Sequence, residues 1–458
     1  MAPSQTEQTG ADAKASAAGA EFAYPNGHLE HLTESEAAAL KSFKTLLASK
    51  GRFTAGPPPS HDDATLIRFL RARRWVPEDA LAQFSDTEDW RKANDINVLY
   101  ETIDIEAYEQ SRILYPQWTG RRDRKGIPVY TFQIRSLDSK SVIDYEKTGA
   151  TTNFSNAKTD GKTPAGMLRL FALYENLSQF VFPLTTQLQD RQFSHMPISM
   201  STNIIDVTGV SLRQFWSLKN HMQVASTLAT ANYPETLDRI FVIGAPAFFS
   251  TIWGWIKRWF DPATVSKIFI LAPNEVTEVL TSFIDPKNLP KQYGGELDFN
   301  WGDLPTVDPA WSGSLEWANG HKSFPTGPMI WQPYGDGSRL ECLSVGCKDG
   351  KPRRERICTI SKTYLQPWEK ETLNATTAAP ASPATTAATT ATTDTATIAT
   401  TTATTATPPT PPVVRESNET VVAEEPTANM AKLAITDDVA AKTVTVEQAE
   451  KSVAAPSA

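Results

Sequence analysis

The stretch from Tyr233 to Leu271 constrains the rest of the chain most. Arg239–Ile243 (RIFVI) is a short β-branched and aromatic run closed by Gly244-Ala245-Pro246, and Ser266–Leu271 (SKIFIL) is a second, closed by Ala272-Pro273. Short runs that are apolar almost throughout, bounded by Gly and Pro, have the pattern of strands buried on both faces of a parallel sheet. Parallel strands need a crossover, and Ala247–Phe260 between them has the length and the Pro borders of a helix. A crossover helix is normally apolar along one stripe. In this one Phe248, Phe249, Ile252, Trp253, Trp255, Ile256, Trp259 and Phe260 go most of the way round, with Lys257 and Arg258 near its end. Two readings are open. The helix is buried on all sides, or it is a lid whose inner face covers an apolar cavity and whose outer face meets a membrane, where Trp beside cations is at home. At fourteen residues it is too short to span a bilayer, which takes about 20.

Upstream, Thr33 with Glu36 makes a capping box for a helix over 33–50, with Leu40, Phe43, Leu46 and Leu47 as its stripe. Pro57-Pro58-Pro59 breaks the chain, and Ser60 or Asp62 caps a second helix with Leu66, Phe69 and Leu70 inward and Arg68, Arg71, Arg73 and Arg74 elsewhere. A third follows Pro77, so 33–95 is expected to be a small all-helical lobe. A hairpin from YPQW and Ile127–Ile134 opens the next domain, and 136–164 is expected to be a long loop. An apolar helix over 165–182, a strand at Asn203–Val207, a Ser211-capped helix ending at Pro234 and a helix at Glu275–Ile284 complete the order. That alternation predicts an α/β fold over 105–298, with an open, mainly parallel sheet and right-handed crossovers.

Residues 299–370 are rich in Trp and Pro without a clear period. Trp301, Trp311, Trp317 and Trp331 are expected to pack this extension partly onto the domain, and the basic hexamer Lys351–Arg356 is read as a solvated loop. Residues 1–32 and the Ala/Thr/Pro-rich, then acidic, stretch 371–458 hold too little apolar surface to offset chain entropy and are expected to be disordered.

Composition excludes more than it selects. Of the net charge of −8, half comes from residues 415–458, with eight acids against four bases, so charge does not point to nucleic acid. No basic-then-apolar leader and no membrane-length apolar run occurs. Cys342, Cys347 and Cys358 are odd in number and lack a fourth clear ligand, which argues for a reducing compartment and against a disulfide framework or metal site. No nucleophile elbow, phosphate loop or dinucleotide fingerprint is present, and the six histidines form no H-x-x-x-H pair. No catalytic residue is therefore expected, and the chain reads as a binder rather than an enzyme. The apolar part of its binding chemistry is the volume beneath 247–260, with Phe171, Phe180, Phe182, Phe215 and Trp216 as further candidate lining. The polar part is Glu235, Thr264 and Lys267. An ammonium in a buried run needs a counter-charge, so Lys267 requires either Glu235 or an anionic ligand.

The segments DDATLIRFLRARRW, GIPVY, IIDVTGVS, ANYPE, FDPATVSKIFIL and NLPKQYGG, spread over about 33–300, resemble the CRAL-TRIO lipid-binding family. Within it they are most similar to the secretory-pathway phosphatidylinositol/phosphatidylcholine transfer proteins. The resemblance implies a helical lobe before a domain with a hydrophobic lipid pocket, and a gate helix at Ala247–Phe260. On the matched motifs, Arg74, Glu235, Thr264 and Lys267, with Arg73 as companion, stand as phosphoinositide-headgroup ligands. Ser201 matches a contact to another phospholipid headgroup. Asn203 stands where the family has Thr, and Thr236 where it has Arg after YPE, which favours phosphatidylinositol over phosphatidylcholine. The expected protein is a cytoplasmic monomer, peripheral on membranes. It carries no cofactor or metal, binds one phospholipid as ligand, and exchanges it between membranes. The alternative is an adaptor that senses or presents the lipid without transferring it.

Overall fold

Three N-terminal helices pack first: α1 (Glu34–Ser49), α2 (Asp63–Ala72) and α3 (Pro77–Ala93). In the computed structural model, residues 24–151, 154–259 and 262–378 are described. The capping box of α1 is formed, with Thr33 accepting from the Glu36 amide and Glu36 accepting from the Thr33 amide at 2.8 Å. Asp62 caps α2 by accepting from the Thr65 amide at 2.7 Å. The inward stripes meet in one core of Leu40, Phe43, Leu47, Leu66, Phe69, Leu70 and Phe84. Two short helices, α4 (Ile96–Thr102) and α5 (Ile105–Leu114), lead into the sheet.

Five strands, β1 (Gln117–Arg122), β2 (Pro128–Gln133), β3 (Ser201–Asp206), β4 (Leu237–Ile243) and β5 (Ile268–Ile270), lie in the order β1-β2-β3-β4-β5. β1 and β2 are an antiparallel hairpin, and β2 to β5 run parallel. The β2–β3 crossover holds α6 (Ser139–Thr151), α7 (Ala165–Asn176), a π-helical turn at Leu177–Val181 and α8 (Phe182–Thr186). α9 (Leu212–Asn232) joins β3 to β4. Then α10 (Phe249–Ile256), a 3-10 turn at Lys257–Trp259 and α11 (Pro262–Val265) join β4 to β5, and α12 (Val276–Phe283) follows. The architecture is the expected α/β class, a mainly parallel sheet behind a helical lobe.

Four expectations need correction. Residues 136–164 are not a plain loop, because α6 occupies their middle. Val142 and Tyr145, three apart, are both buried, and the Tyr145 hydroxyl donates to Gly166 O at 2.9 Å; a polar outer face hid this amphipathic helix. Residues 24–32 are ordered as a turn, since Leu29 enters the helical-lobe core and Tyr24 packs edge-on against Phe193 at 5.6 Å. The gate helix is shorter than expected, eight α-helical residues before its 3-10 turn. Phe260 lies outside the described residues, and so do residues 1–23 and 379–458 of the segments expected to be disordered, 1–32 and 371–458; residues 371–378, like 24–32, are ordered, as the end of a helix over Pro367–Ala378.

The fourth correction concerns 299–370. It contains β6 (Glu316–Trp317), β7 (Met329–Tyr334), β8 (Arg339–Ser344), β9 (Cys347–Lys348), β10 (Lys351–Pro352) and β11 (Glu355–Ser361), before α13 (Pro367–Ala378). β6, β11, β8 and β7 form an antiparallel sheet in that order. Trp311, Cys342, Ile357 and Cys358 are buried in one core with Trp118, Phe180 and Leu184 of the α/β domain. The segment is thus part of the core. Its strands gave no period because Cys342–Val345 and Ile357–Ile360 are continuously buried, and continuous burial erases alternation. The basic hexamer is also engaged. Arg353 donates to Val345 O at 2.8 Å and Thr326 O at 3.0 Å, and Arg354 pairs with Glu101 at 2.6 Å.

Candidate functional site

A cavity of about 230 Å³ lies between the β2–β4 face of the sheet and helices α7 and α9. Strand periodicity builds its floor, since Ser201, Asn203 and Ile205 alternate onto one face of β3 and Tyr130 and Phe132 onto that of β2. Helical periodicity builds its roof from Leu170, Leu173, Tyr174 and Leu177 on one side and His221, Met222 and Ala225 on the other. The polar groups of the floor are tied together: Asn203 Nδ2 donates to Ser201 Oγ at 2.9 Å, and Ser201 Oγ to Thr236 O at 3.2 Å. His221 Nε2 lies 2.7 Å from the Tyr115 hydroxyl and its Nδ1 lies 3.1 Å from Glu146. None of Phe171, Phe180, Phe182, Phe215 and Trp216 lines this cavity. The face that α7 turns to the sheet is the leucine one, and Phe171 packs instead against Trp90 and Tyr233.

α10, the expected gate helix, borders the cavity without lining it. Phe249 and Ile252 are buried in a cluster with Leu137 and Ile240, which are themselves cavity residues. Phe248, Trp253 and Ile256 are half-buried, and Trp253 stacks on Phe249. Trp255 is 39% exposed and meets Trp216, 46% exposed, at 5.2 Å between ring centroids. Lys257 and Arg258 are exposed, and Trp259 is described in its backbone alone. Burial on all sides is therefore excluded: one stripe is inside, and indole rings stand outside. No helix among the described residues is long and apolar enough to cross a membrane. Gly244, before the gate, has φ +68°, and a Cβ there would fall 1.9 Å from Thr208 Oγ1, so only glycine fits.

Beyond the cavity floor lies an ion cluster. The turn from α9 into β4 puts Glu235 in the left-handed region at φ 56°. Its Oε2 lies 2.9 Å from Lys267 Nζ and 3.2 Å from an Arg71 guanidinium nitrogen. The three side chains are enclosed, at 7% exposure for Glu235, 9% for Arg71 and 15% for Lys267. Two cations share one carboxylate, so the cluster carries excess positive charge. Arg71 also donates to Asn26 O at 3.1 Å and Gly27 O at 3.0 Å, carbonyls of the N-terminal turn that lies against it. In that turn, burial pushes the His28 imidazole well below its usual pKa, and Arg71 and Lys267 push the same way. Thr264 O accepts from the Lys267 amide at 3.1 Å.

Arg73 and Arg74 are exposed and contact neither Glu235 nor Lys267. α2 ends at Ala72, Arg73 bonds back to Ala72 O, and Arg74 is left-handed at φ 53°. Sequence reasoning missed Arg71. The available signal was its placement inside the helix, three residues after Arg68 and on its face, whereas Arg73 and Arg74 lie past the helix end.

A second buried carboxylate adjoins the first. Glu175 accepts from Arg91 at 2.6 and 3.1 Å, from the Tyr233 hydroxyl at 2.6 Å and from Gln179 at 2.6 Å. Burial alone would raise its pKa, but Arg91 and these hydrogen bonds outweigh burial and hold it below the usual carboxylate range.

Comparison with known proteins bears on the family. Residues 114–295 match the CRAL/TRIO domain and residues 29–86 its N-terminal domain. The chain is 31% identical over 269 residues to the SEC14 cytosolic factor of Eremothecium gossypii, covering 58% of this chain and 79% of that protein. It is 33% identical over 272 residues to the Sec14 cytosolic factor of Schizosaccharomyces pombe, covering 59% and 86%. The phosphatidylinositol/phosphatidylcholine transfer protein SFH7 of Arabidopsis thaliana is 32% identical over 240 residues, covering 52% and 40%. A helical lobe, a mainly parallel sheet roofed by helices, the family match and two cytosolic-factor relatives matched over most of their length together make this chain a member of the CRAL-TRIO family.

Proposed function

We propose that this protein binds one phospholipid, phosphatidylinositol foremost, and exchanges it between membranes without making or breaking a bond. The observation that carries the reading is an apolar cavity beside a helix that is greasy within and tryptophan-bearing without. At about 230 Å³ the cavity is smaller than the roughly 300–1,000 Å³ of small-molecule pockets. Each buried methylene is worth about 0.8 kcal/mol, so acyl chains enter usefully only when the cavity widens, and movement of α10, which packs on the lining residues Leu137 and Ile240, would widen it. Trp255 and Trp216 would meet the membrane interface, where indoles are favoured. The excess positive charge of Arg71 and Lys267 suits a headgroup phosphate, and Glu235 and Thr264 suit inositol hydroxyls. Arg73 and Arg74 add charge for the approach to an anionic surface, and Ser201 and Asn203 offer the polar end of the cavity to another headgroup. The name of the Arabidopsis thaliana relative, a phosphatidylinositol/phosphatidylcholine transfer protein, supports the same activity. The protein would act as a cytoplasmic monomer that docks on membranes transiently.

Native mass spectrometry of the purified protein, paired with transfer between donor and acceptor vesicles, tests this. A bound phosphatidylinositol that moves to acceptor vesicles is the expected result. A protein that holds no lipid overturns the reading, and one that holds lipid but moves none is a sensing adaptor instead.

A further inference from the structure

The turn at residues 24–32 lies against the Arg71–Glu235–Lys267 cluster and takes up part of its charge. Arg71 spends one guanidinium nitrogen on the turn, donating to Asn26 O at 3.1 Å and Gly27 O at 3.0 Å. Lys125, between β1 and β2, donates to Tyr24 O at 3.2 Å. A neutral carbonyl satisfies a guanidinium less well than an oxyanion does, so the turn occupies bonds that a phosphate would take. It is a slight structure, held within itself by Gly27 N to His31 O at 3.1 Å, His28 N to Pro25 O at 3.2 Å and His31 N to His28 O at 2.9 Å. It also fits closely: Gly27 has φ +67°, and a Cβ there would fall 3.0 Å from Arg71 Nη1.

One residue makes this contact sensitive to acid. His28 is 5% exposed, meets Tyr24 edge-on at 5.3 Å, and its buried Nε2 has no hydrogen-bond partner. The largest charge effects on it all come from bases: Arg71 of α2, Lys267 ahead of β5, Lys125 and, within the turn, His31. His195 lies one ring further, 5.6 Å from His31. The carboxylates around the turn are committed elsewhere. Glu235 is shared by Arg71 and Lys267, Glu30 pairs with Lys370, and Glu36 accepts from the Thr33 amide. Asp123 and Asp238, on the Tyr24 side, are tied to Thr202 and Arg239. A proton on His28 would add a buried cation among cations, and burial with these charges holds its pKa well below the usual value. Released to water, an imidazole takes its proton near about 6.5. The closed turn is therefore fully favoured above that pH and loses ground as pH falls below it. We propose that residues 24–32 are an acid-released strap, which shuts the Arg71–Glu235–Lys267 cluster while His28 is neutral and frees Arg71 for a headgroup phosphate when His28 is charged. This rests on the headgroup reading of that cluster.

Hydrogen exchange of the full chain reads the strap without any lipid, at the amides of Gly27, His28 and His31, after correction for the intrinsic effect of pH. Between about pH 7.5 and about pH 5.5 their protection should fall about tenfold, because the lower pH lies about one unit below the released pKa. His28→Phe, which takes no proton, should keep its protection. Calorimetry with glycerophosphoinositol, whose phosphodiester holds one charge over this range, reads the cluster. Its affinity should rise about tenfold at the lower pH in the parent and stay flat in His28→Phe. Gly27→Ala, which crowds Arg71 on a strained backbone, should loosen the turn and give the tighter affinity already at about pH 7.5. No loss of protection in acid, or an equal loss in His28→Phe and the parent, overturns the strap. Acid opening with an affinity that neither acid nor Gly27→Ala changes overturns its hold on binding. Acid opening in a protein that binds no glycerophosphoinositol at either pH supports the strap and sinks the headgroup reading instead.

Discussion

Glu175 and Glu235 are buried carboxylates on either side of the turn at Tyr233, and both tie the helical lobe to the sheet domain, yet they are held in opposite ways. Glu175 on α7 meets one cation, Arg91 of α3, through two short bonds, and Tyr233 and Gln179 fill its remaining acceptor sites. Glu235 offers one oxygen to two cations from separate elements, on a left-handed backbone. The first network is balanced and saturated, as a structural junction should be. The second is over-charged and held in a backbone region that costs about 1–3 kcal/mol, which fits a place that waits for an anion. On the proposed function, what separates the two networks is their stoichiometry rather than their burial.

Breaking the balanced network should have the largest effect. Glu175→Ala leaves Arg91 without its counter-ion and should cost about 3–5 kcal/mol in urea denaturation; a loss below about 1 kcal/mol would remove its structural role. Because the folded pKa of Glu175 is depressed, its contribution is present above the unfolded value near 4.3 and is lost as pH falls through the folded one.

A third carboxylate sharpens the contrast, since Asp123 has no ion-pair partner among the described residues. Its oxygens accept from the Lys125 and Ile127 amides and the Thr202 hydroxyl, each at 2.9 Å. Burial, and then the charge of Asp238, raise its pKa to about 6. A raised carboxyl holds its proton in the folded state, so stability should fall as pH rises from about 4 to 6, by about 3 kcal/mol. Asp123→Asn should flatten that slope, and an unchanged pH profile of Tm would show that the group does not titrate as described.

Relieving the over-charged network should be gentle on the fold. Lys267→Ala leaves Arg71 on the enclosed Glu235, so it should cost less than the about 3–5 kcal/mol of a buried charge left unpaired, while phosphatidylinositol loading falls about tenfold. A loss of stability as large as that of the Glu175 variant would erase the distinction. The smallest effect belongs to the gate surface: Trp255→Ala should slow vesicle transfer about threefold with bound lipid unchanged, and slower transfer through lost loading would move the residue from docking to binding.

Much of this was legible in the chain itself. The β4–α10–β5 unit, the Thr33–Glu36 box and the need of Lys267 for a partner all follow from short-range pattern or from the cost of burying a charge. Other features were not legible. Arg71 and Arg73 differ only by where α2 stops, and helix ends are set by local contacts rather than by periodicity. The sheet of residues 316–361 shows no clear period where Cys342–Val345 and Ile357–Ile360 are continuously buried, and only the packing partner decides that.

Local chemistry thus determined which residues carry grease and which carry charge, because those properties travel with the side chain. Tertiary structure alone decided that leucines rather than phenylalanines roof the cavity, and that Glu235 must serve two cations. Each of these depends on what a distant segment brings to the same few ångströms, and no spacing along the chain encodes that distance.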